Sequence, residues 1–328
     1  MRWHLDFPIP PFPFPISHSG KILSMGSCFA QVIGQKMQDH KLDVLINPFG
    51  TIFHPKILAK LLNQALSQDA MDESGILERD GLYFHYSAHS DLKGSSVVEL
   101  KGVWKNRMEE SRTYLSQGSH LILTFGTAWL YEHVDFGPVA NCHKQAQKIF
   151  EKRLSGLEEL VSDWEITFGN LSRIFPDLKI ILTVSPVRHI KDGIPENQLS
   201  KSLLRVLCHE LEKRFENVAY FPAYEIVMDE LRDYRFYKSD LIHPSQEAEN
   251  YIWEKWKKAC FTSQTQEKVK EIEKINLDLA HRPLNPDSDS YRKFLQNLKT
   301  KLERLNGEFD FSREIDFVSE ILNPPNSH

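Results

Sequence analysis

The sequence is poor in cysteine. Only Cys28, Cys142, Cys208 and Cys260 occur in 328 residues, and no two form a Cys-x-x-Cys pair. That scarcity argues against a disulfide framework or a cysteine-rich zinc module, and it fits a reducing cytoplasm. Long apolar runs are missing too: none approaches the roughly 20 residues a membrane-spanning helix needs. Nor is there a large excess of one charge. The 40 basic and 45 acidic residues leave a net charge of −5, so no global field draws the chain to nucleic acid or anionic lipid. The first residues lack a basic start followed by an apolar core, so a signal peptide is not expected.

What is present points to a globular enzyme-sized body. Apolar residues make up 41% of the chain, enough for one large domain or two modest ones. Residues 7–15 alternate Pro with Phe or Ile. Proline fixes φ and has no N–H, so this stretch predicts an extended arm. A rhythm of strands and helices follows. Apolar runs at 21–25, 42–46, 120–125, 178–184 and 218–221 read as strands. Helical spacing follows or precedes them at 29–39, after Pro55, at 105–117, 156–174 and 197–215, and after Pro244. Residues 68–103 read as an irregular insertion with short strands. From about 262 the chain turns highly charged with periodic apolar positions, which predicts a helical extension interrupted at Arg282-Pro283-Leu284-Asn285-Pro286. No internal repeat is visible, and the closing Pro-Pro-Asn-Ser-His is expected to fray.

Alternating strands and helices predict a parallel sheet of five strands covered on both faces. The expected organisation is an arm over residues 1–20, an α/β domain over 21–261 and a helical extension with tail over 262–328. Ligands bind such sheets beyond the carboxyl ends of the strands. The residues there are Gly26-Ser27-Cys28, Asn47 to Gly50, Gly126-Thr127, Ser185 to His189, and the loop with Asp240 and His243.

Two of these carry chemistry together. A nucleophile on a tight strand-to-helix turn is exposed, and the helix N-terminus favours developing negative charge. Ser27 or Cys28 can supply that atom. The base comes from Asp240-Leu241-Ile242-His243-Pro244: an Asp three residues before a His can curl back to Nδ1 and leave Nε2 for the nucleophile. Asn141, His143 and His89 lie in loops able to reach such a site. Asn141 can donate its amide to an oxyanion, and Arg188 and His189 can bind an anionic group. Taken singly, each feature is equally well a cap, a packing turn or a packed histidine.

The segments Gly26-Ser27-Cys28-Phe29-Ala30, Asn47-Pro48-Phe49-Gly50, Thr124-Phe125-Gly126-Thr127-Ala128-Trp129, Asn141-Cys142-His143-Lys144, Ser185-Pro186-Val187-Arg188-His189 and Asp240-Leu241-Ile242-His243-Pro244 resemble the GSCFA family. That family is similar to the SGNH (GDSL-like) hydrolases. The resemblance runs from residue 1 to about 310 and takes in His281-Arg282-Pro283. It implies a flavodoxin-like three-layer α/β/α sandwich and hydrolysis or transfer of acyl esters, often of carbohydrate or lipid. Carried over by position, the nucleophile turn falls on Gly26 to Cys28, the second-block glycine on Gly50, the third block on Gly126 to Trp129, and the final Asp-x-x-His on Asp240 and His243. Two departures stand out. Ser-Cys replaces Asp-Ser, so strict register makes Cys28 the nucleophile and a one-residue shift makes it Ser27. Ala128 takes the place of the oxyanion Asn, with Asn141 as a substitute; losing one such donor typically costs on the order of 100- to 1000-fold in rate.

The leading expectation is therefore a metal-independent hydrolase or acyltransferase needing no cofactor. Its partner is a small-molecule, glycan or lipid acyl ester, with no role for nucleic acid or membrane; the oligomeric state stays open. A non-catalytic binding module on the same fold is the alternative, motivated by the missing Asn. A metal site from His85, His89, His143 and His189 is a third reading. Cys28, at a helix N-terminus, has the placement that can depress a thiol pKa.

Overall fold

The chain's near-continuous apolar runs become the buried strands of one sheet. The computed structural model describes residues 5–323; the closing Pro-Pro-Asn-Ser-His lies outside them. Along the chain come β1 (Lys21–Gly26), α1 (Cys28–Asp39), β2 (Val44–Ile46), α2 (Pro55–Ser67), β3 (Ile76–Arg79), β4 (Leu82–His85), α3 (Val97–Ser116), β5 (Gly118–Phe125), β6 (Trp129–His133), β7 (Gly137–Val139), β8 (Phe150–Leu154), α4 (Leu157–Ile174), β9 (Lys179–Val184), α5 (Ile194–Arg214), β10 (Val218–Tyr220), the one-turn α6 (Ala223–Glu225), α7 (Gln246–Cys260), α8 (Ser263–Leu279), α9 (Asp289–Leu305) and α10 (Ser312–Leu322).

The five expected strands form one sheet in the order β10-β9-β5-β1-β2, with every pair parallel. Their side chains alternate between two cores. Leu23, Leu121, Leu123, Ile180 and Leu182 face α2, α3, α4 and α5. Ile22, Ile122 and Ile181 face α1 and α7. Both faces are thus dry, which explains the unbroken apolar runs. The order reverses between β1 and β5, since β1 leads outward to β2 while β5 leads to β9 and β10. Such a reversal opens a crevice above the strand ends.

The arm is extended and docks along the C-terminal end of α7. Phe12 N–H donates to Ala259 O at 2.8 Å and Ile16 N–H to Cys260 O at 2.6 Å. Phe12 and Ile16 enter the α1/α7 core and are not merely laid on the surface. Beside the docked arm α8, α9 and α10 form a helical extension with its own cluster of Ile272, Ile275, Leu295, Leu298, Leu302, Phe311 and Val318. Among the described residues no helix is long and apolar enough to cross a membrane.

Two expectations need correction. The helix expected at 105–117 begins at Val97, within the stretch read as irregular. Ser96 Oγ accepts from Glu99 N–H at 3.2 Å while Glu99 reaches back to Ser95 N–H at 2.7 Å, a variant of the reciprocal cap that starts helices. Gly102, which suggested a loop, sits in the helix beside open space. The second omission is the antiparallel sheet β7-β6-β8, which stands between β5 and α4. It packs Tyr131, Val139 and Phe150 with Leu77, Phe84 and Tyr86 of the β3–β4 region into a satellite core.

Candidate active site

The strand-end loops are stitched to one another. Gly26 N–H donates to Asn47 Oδ1 at 2.8 Å, and Gly26 O accepts from Ile52 N–H at 2.9 Å. Gly26 has φ +143°, and a Cβ there would lie 2.2 Å from Thr124 O; only glycine lets β1 pass so close to β5. Phe53 O in turn accepts Gly126 N–H at 2.8 Å. The Phe53 ring meets His189 edge-on, with centroids 5.1 Å apart. Arg188 N–H then reaches Ile242 O at 3.3 Å. The ends of β1, β2, β5 and β9 and the 240–243 loop are therefore one connected surface.

Ser27 and Cys28 play different parts on it. Ser27 is fully buried and is the N-cap of α1, its Oγ accepting from Phe29 N–H at 3.2 Å. Serine in this role satisfies an otherwise orphaned amide. Cys28 is the first residue of the helix and is only partly buried. Its placement favours a thiolate, yet burial pushes the thiol upward, against the pull of Lys201, the amides of Cys28 and Phe29, and Lys238. The expected depression is thus outweighed by desolvation. All four cysteines are free.

Asp240 and His243 form a tight pair. Asp240 Oδ2 meets His243 Nδ1 at 2.7 Å, while Oδ1 accepts the N–H groups of Ile242 and His243 at 2.9 and 3.0 Å. The His243 and Ile242 amides, followed by the imidazole, hold the Asp240 carboxyl down at about 2. Leu241 adopts φ +57° to make the turn. Both side chains are over 40% exposed, at 43% and 42%, and His243 Nε2 makes no hydrogen bond among the described residues. The loop is tied down by Lys238 N–H, which donates to His243 O at 2.8 Å. The charge of that same Lys238 bears on Cys28.

The other candidate residues separate into two groups. Arg188 and His189 belong to the connected surface. Arg188 lies over Tyr237 at 4.2 Å and lines a 310 Å³ cleft with Tyr234 and Arg232. His189 Nε2 is buried without a partner, and burial, then Lys201, lowers its pKa to about 3, so it is neutral. His143 instead belongs to the β3–β4 side, and His89 stands where that side meets the 47–50 turn. His143 is locked between His85 O at 3.0 Å and Ser90 Oγ at 3.1 Å, against Phe84. Asn141 spends its Oδ1 on His143 N–H at 2.7 Å. His89 N–H donates to Phe49 O, and its ring faces Asp91 at 2.9 Å. A Cβ on Gly50 would strike His89 at 2.4 Å, so the glycine lets this loop close over the 47–50 turn. Gly126 is a framework residue whose N–H is already taken. Among the described residues no three His, Cys, Asp or Glu side chains gather as metal ligands. His85, the fourth histidine of that reading, bonds Asp72 O and Ser87 N–H instead.

Two residues of this surface carry signals that spacing alone did not turn into site residues. Asn47 is 9% exposed, and its Nδ2 is buried without a partner while Oδ1 serves Gly26. Its φ of +42° marks a turn residue, which is all the motif around Asn47-Pro48 suggested. Lys201 is wholly buried beneath the loops. Its signal was available: with Asn197, Ser200, Leu204, Leu207, Cys208 and Leu211 it shares the buried face of α5, where a lysine is out of place.

The fold and its site loops thus define an α/β protein with a five-stranded parallel sheet and a helical C-terminal extension. Residues 21–256 match the GSCFA family, and residues 272–324 match the GSCFA domain protein, C-terminal domain; the chain belongs to the GSCFA family. No curated protein matches it.

Proposed function

We propose that the protein hydrolyses or transfers acyl esters through a Cys28–His243–Asp240 mechanism. The observation that carries the reading is the Asp240–His243 pair, which fixes Nδ1 and leaves Nε2 open on the surface that also bears the α1 N-terminus. A carboxylate in this position selects the tautomer and steadies the imidazolium. Cys28 is favoured over Ser27 because the serine oxygen is buried as a cap. His243 takes the thiol proton as sulfur attacks the ester carbonyl; the protonated imidazole then gives it to the departing alkoxide. Water or an acceptor alcohol, deprotonated by the same base, releases the acyl group. The unpaired Asn47 Nδ2–H is the proposed oxyanion donor in place of the residue lost at Ala128. Arg188, stacked on Tyr237, favours a substrate with an anionic group.

The strand order, counted along the sheet as 2-1-3-4-5, is the flavodoxin-like order. It supports a kinship with SGNH hydrolases, in which the site occupies this crevice. The test is turnover of short acyl esters by wild type, Cys28→Ser and His243→Ala. Expected is catalysis that falls at least about 1000-fold in His243→Ala with folding intact. Equal turnover in all three proteins would overturn the reading. Absence of turnover with retained binding of acyl ligands would instead favour the binding module, for which the occupied Gly126 N–H is the motivating observation.

A further inference from the structure

The turn that carries His243 adjoins a cleft lined by arginine. Tyr237 pairs with Pro244 in an antiparallel bridge, which fixes Tyr237 beside the 240–243 turn. Arg188, following β9, is attached to the same turn: its N–H reaches Ile242 O at 3.3 Å and its Nη1 meets Leu241 O at 3.5 Å. The guanidinium lies over two rings, Tyr237 at 4.2 Å and Tyr234 at 5.5 Å. Those contacts hold it in place without cancelling its charge. Among the described residues neither Arg188 nor Arg232 has a carboxylate within ion-pair distance. Of the residues lining the cleft only Asp233 is acidic, and it is engaged by Arg235, with Oδ2 3.0 Å from Nη2 and Oδ1 accepting the Arg235 N–H at 2.9 Å. One wall is a wide helical turn. Ile226–Glu230 is a π-helix closed by Leu231 N–H on Ile226 O at 2.9 Å, and it lines the cleft with Val227 and Met228 before the chain reaches Arg232. Glu230 pins that turn: its fully buried side chain accepts from Lys255 Nζ and Phe7 N–H, both at 2.7 Å. Turns of this kind recur at functional sites.

We propose that the cleft between Arg188 and Arg232, walled by Tyr234 and Tyr237, is a subsite for an oxyanion group, carboxylate or phosphate, carried by the substrate away from its ester bond. This rests on the reading of the Asp240–His243 turn as the reacting centre. Guanidinium forks match the oxygens of either group, and arginine keeps its charge at any working pH, so the anchor does not titrate with the base. The volume of 310 Å³ stands at the lower end for small-molecule sites, room for the charged end of a substrate. The Arg188 N–H bond to Ile242 O sets how far that end lies from His243.

Binding is read first without chemistry, by NMR titration of the full-length protein with succinate and, separately, with inorganic phosphate at constant ionic strength. Wild type is expected to bind at least one of them saturably, with a Kd of about 1 mM or tighter; the tighter anion names the class. Arg232→Gln is expected to weaken that binding about tenfold or more. Arg232 is exposed, so its replacement spares the core. Arg173→Gln removes the same charge from the exposed end of α4, outside the cleft, and is expected to bind as wild type does. Absence of saturable binding, unweakened binding in Arg232→Gln, or an equal fall in Arg173→Gln overturns the subsite. The second readout is the ratio of kcat/KM for an ester bearing the tighter-binding group to that for the matching neutral ester, expected to fall about tenfold in Arg232→Gln, chiefly through KM. Anion binding without turnover sinks the hydrolase alone, and turnover without anion binding sinks this subsite alone.

Discussion

Asp240 grips His243 at two points, its Oδ2 on Nδ1 at 2.7 Å and its Oδ1 on the same residue's backbone N–H at 3.0 Å. Orientation of the imidazole is therefore built within four consecutive residues and does not depend on a distant element. Asp240→Asn keeps the shape but offers an amide that can donate to Nδ1 and present the wrong tautomer. We expect ester turnover to drop by on the order of 10³- to 10⁴-fold, with little change in the melting temperature because the pair is exposed. Steady-state kinetics beside a thermal melt checks both halves. Wild-type turnover in this variant would remove Asp240 from the mechanism.

Ser27 and Cys28 should come apart in experiment. Ser27→Ala loses the α1 cap and is expected to cost about 1 kcal/mol of stability while leaving iodoacetamide labelling of Cys28 in place. Cys28→Ser should abolish that labelling and leave stability within about 1 kcal/mol. Denaturant unfolding and intact-mass analysis decide between them; loss of ester turnover in Ser27→Ala at full stability would transfer the nucleophile to oxygen.

Gly26 is the tightest point of the site. A methyl group there meets the backbone of Thr124, with O at 2.2 Å and N at 2.9 Å, and backbone cannot swing aside as a side chain can. Gly26→Ala is expected to destabilise the protein by about 3 kcal/mol or more. Chemical denaturation measures it, and a change below about 1 kcal/mol would contradict the close approach of β1 to β5.

Acid should weaken the fold before the carboxylates titrate. Burial holds His54 and His189 at about 3 and His85 at about 4. In the unfolded chain these rings ionise near 6.5. The unfolded state thus takes up protons first as pH falls, so the stability these residues supply is complete above about 6.5 and is lost progressively toward 3–4. His54 shows why. Its Nδ1 accepts from Lys56 N–H at 3.1 Å as the α2 cap, and its Nε2 meets Ala128 O at 3.3 Å. Protonating Nδ1 breaks the cap. His54→Asn keeps an acceptor without the titration, so its unfolding free energy should depend less steeply on pH between 6.5 and 4.5, by about one proton. An unchanged slope would show that His54 is not held neutral.

The central sheet was readable because burial on both faces leaves a continuous apolar run, as in Leu121-Ile122-Leu123. The β6–β8 sheet was not, because its strands are half-exposed and carry Glu132, His133, Glu151, Lys152 and Arg153 among their apolar residues. Their stability comes from partners distant in sequence, such as Tyr86 and Leu77. At the site, the Asp-x-x-His turn is a local structure and could be read locally. Lys201 is legible only as a charge on the wrong face of a helix, and what it means depends on the carbonyls of Gly126 and Ser185, 75 and 16 residues away.

The arm's docking has a consequence for how the molecule comes into being. Ile16 N–H bonds to Cys260 O and its carbonyl to Thr262 N–H, and Ile16 pairs with Phe261 in a parallel bridge. The arm is made before these partners and must therefore wait, undocked, until the chain has been extended past residue 262. Closing that seam joins the two ends of the α/β body, so the domain is sealed by a segment that has to be held in reserve until its distant partner exists.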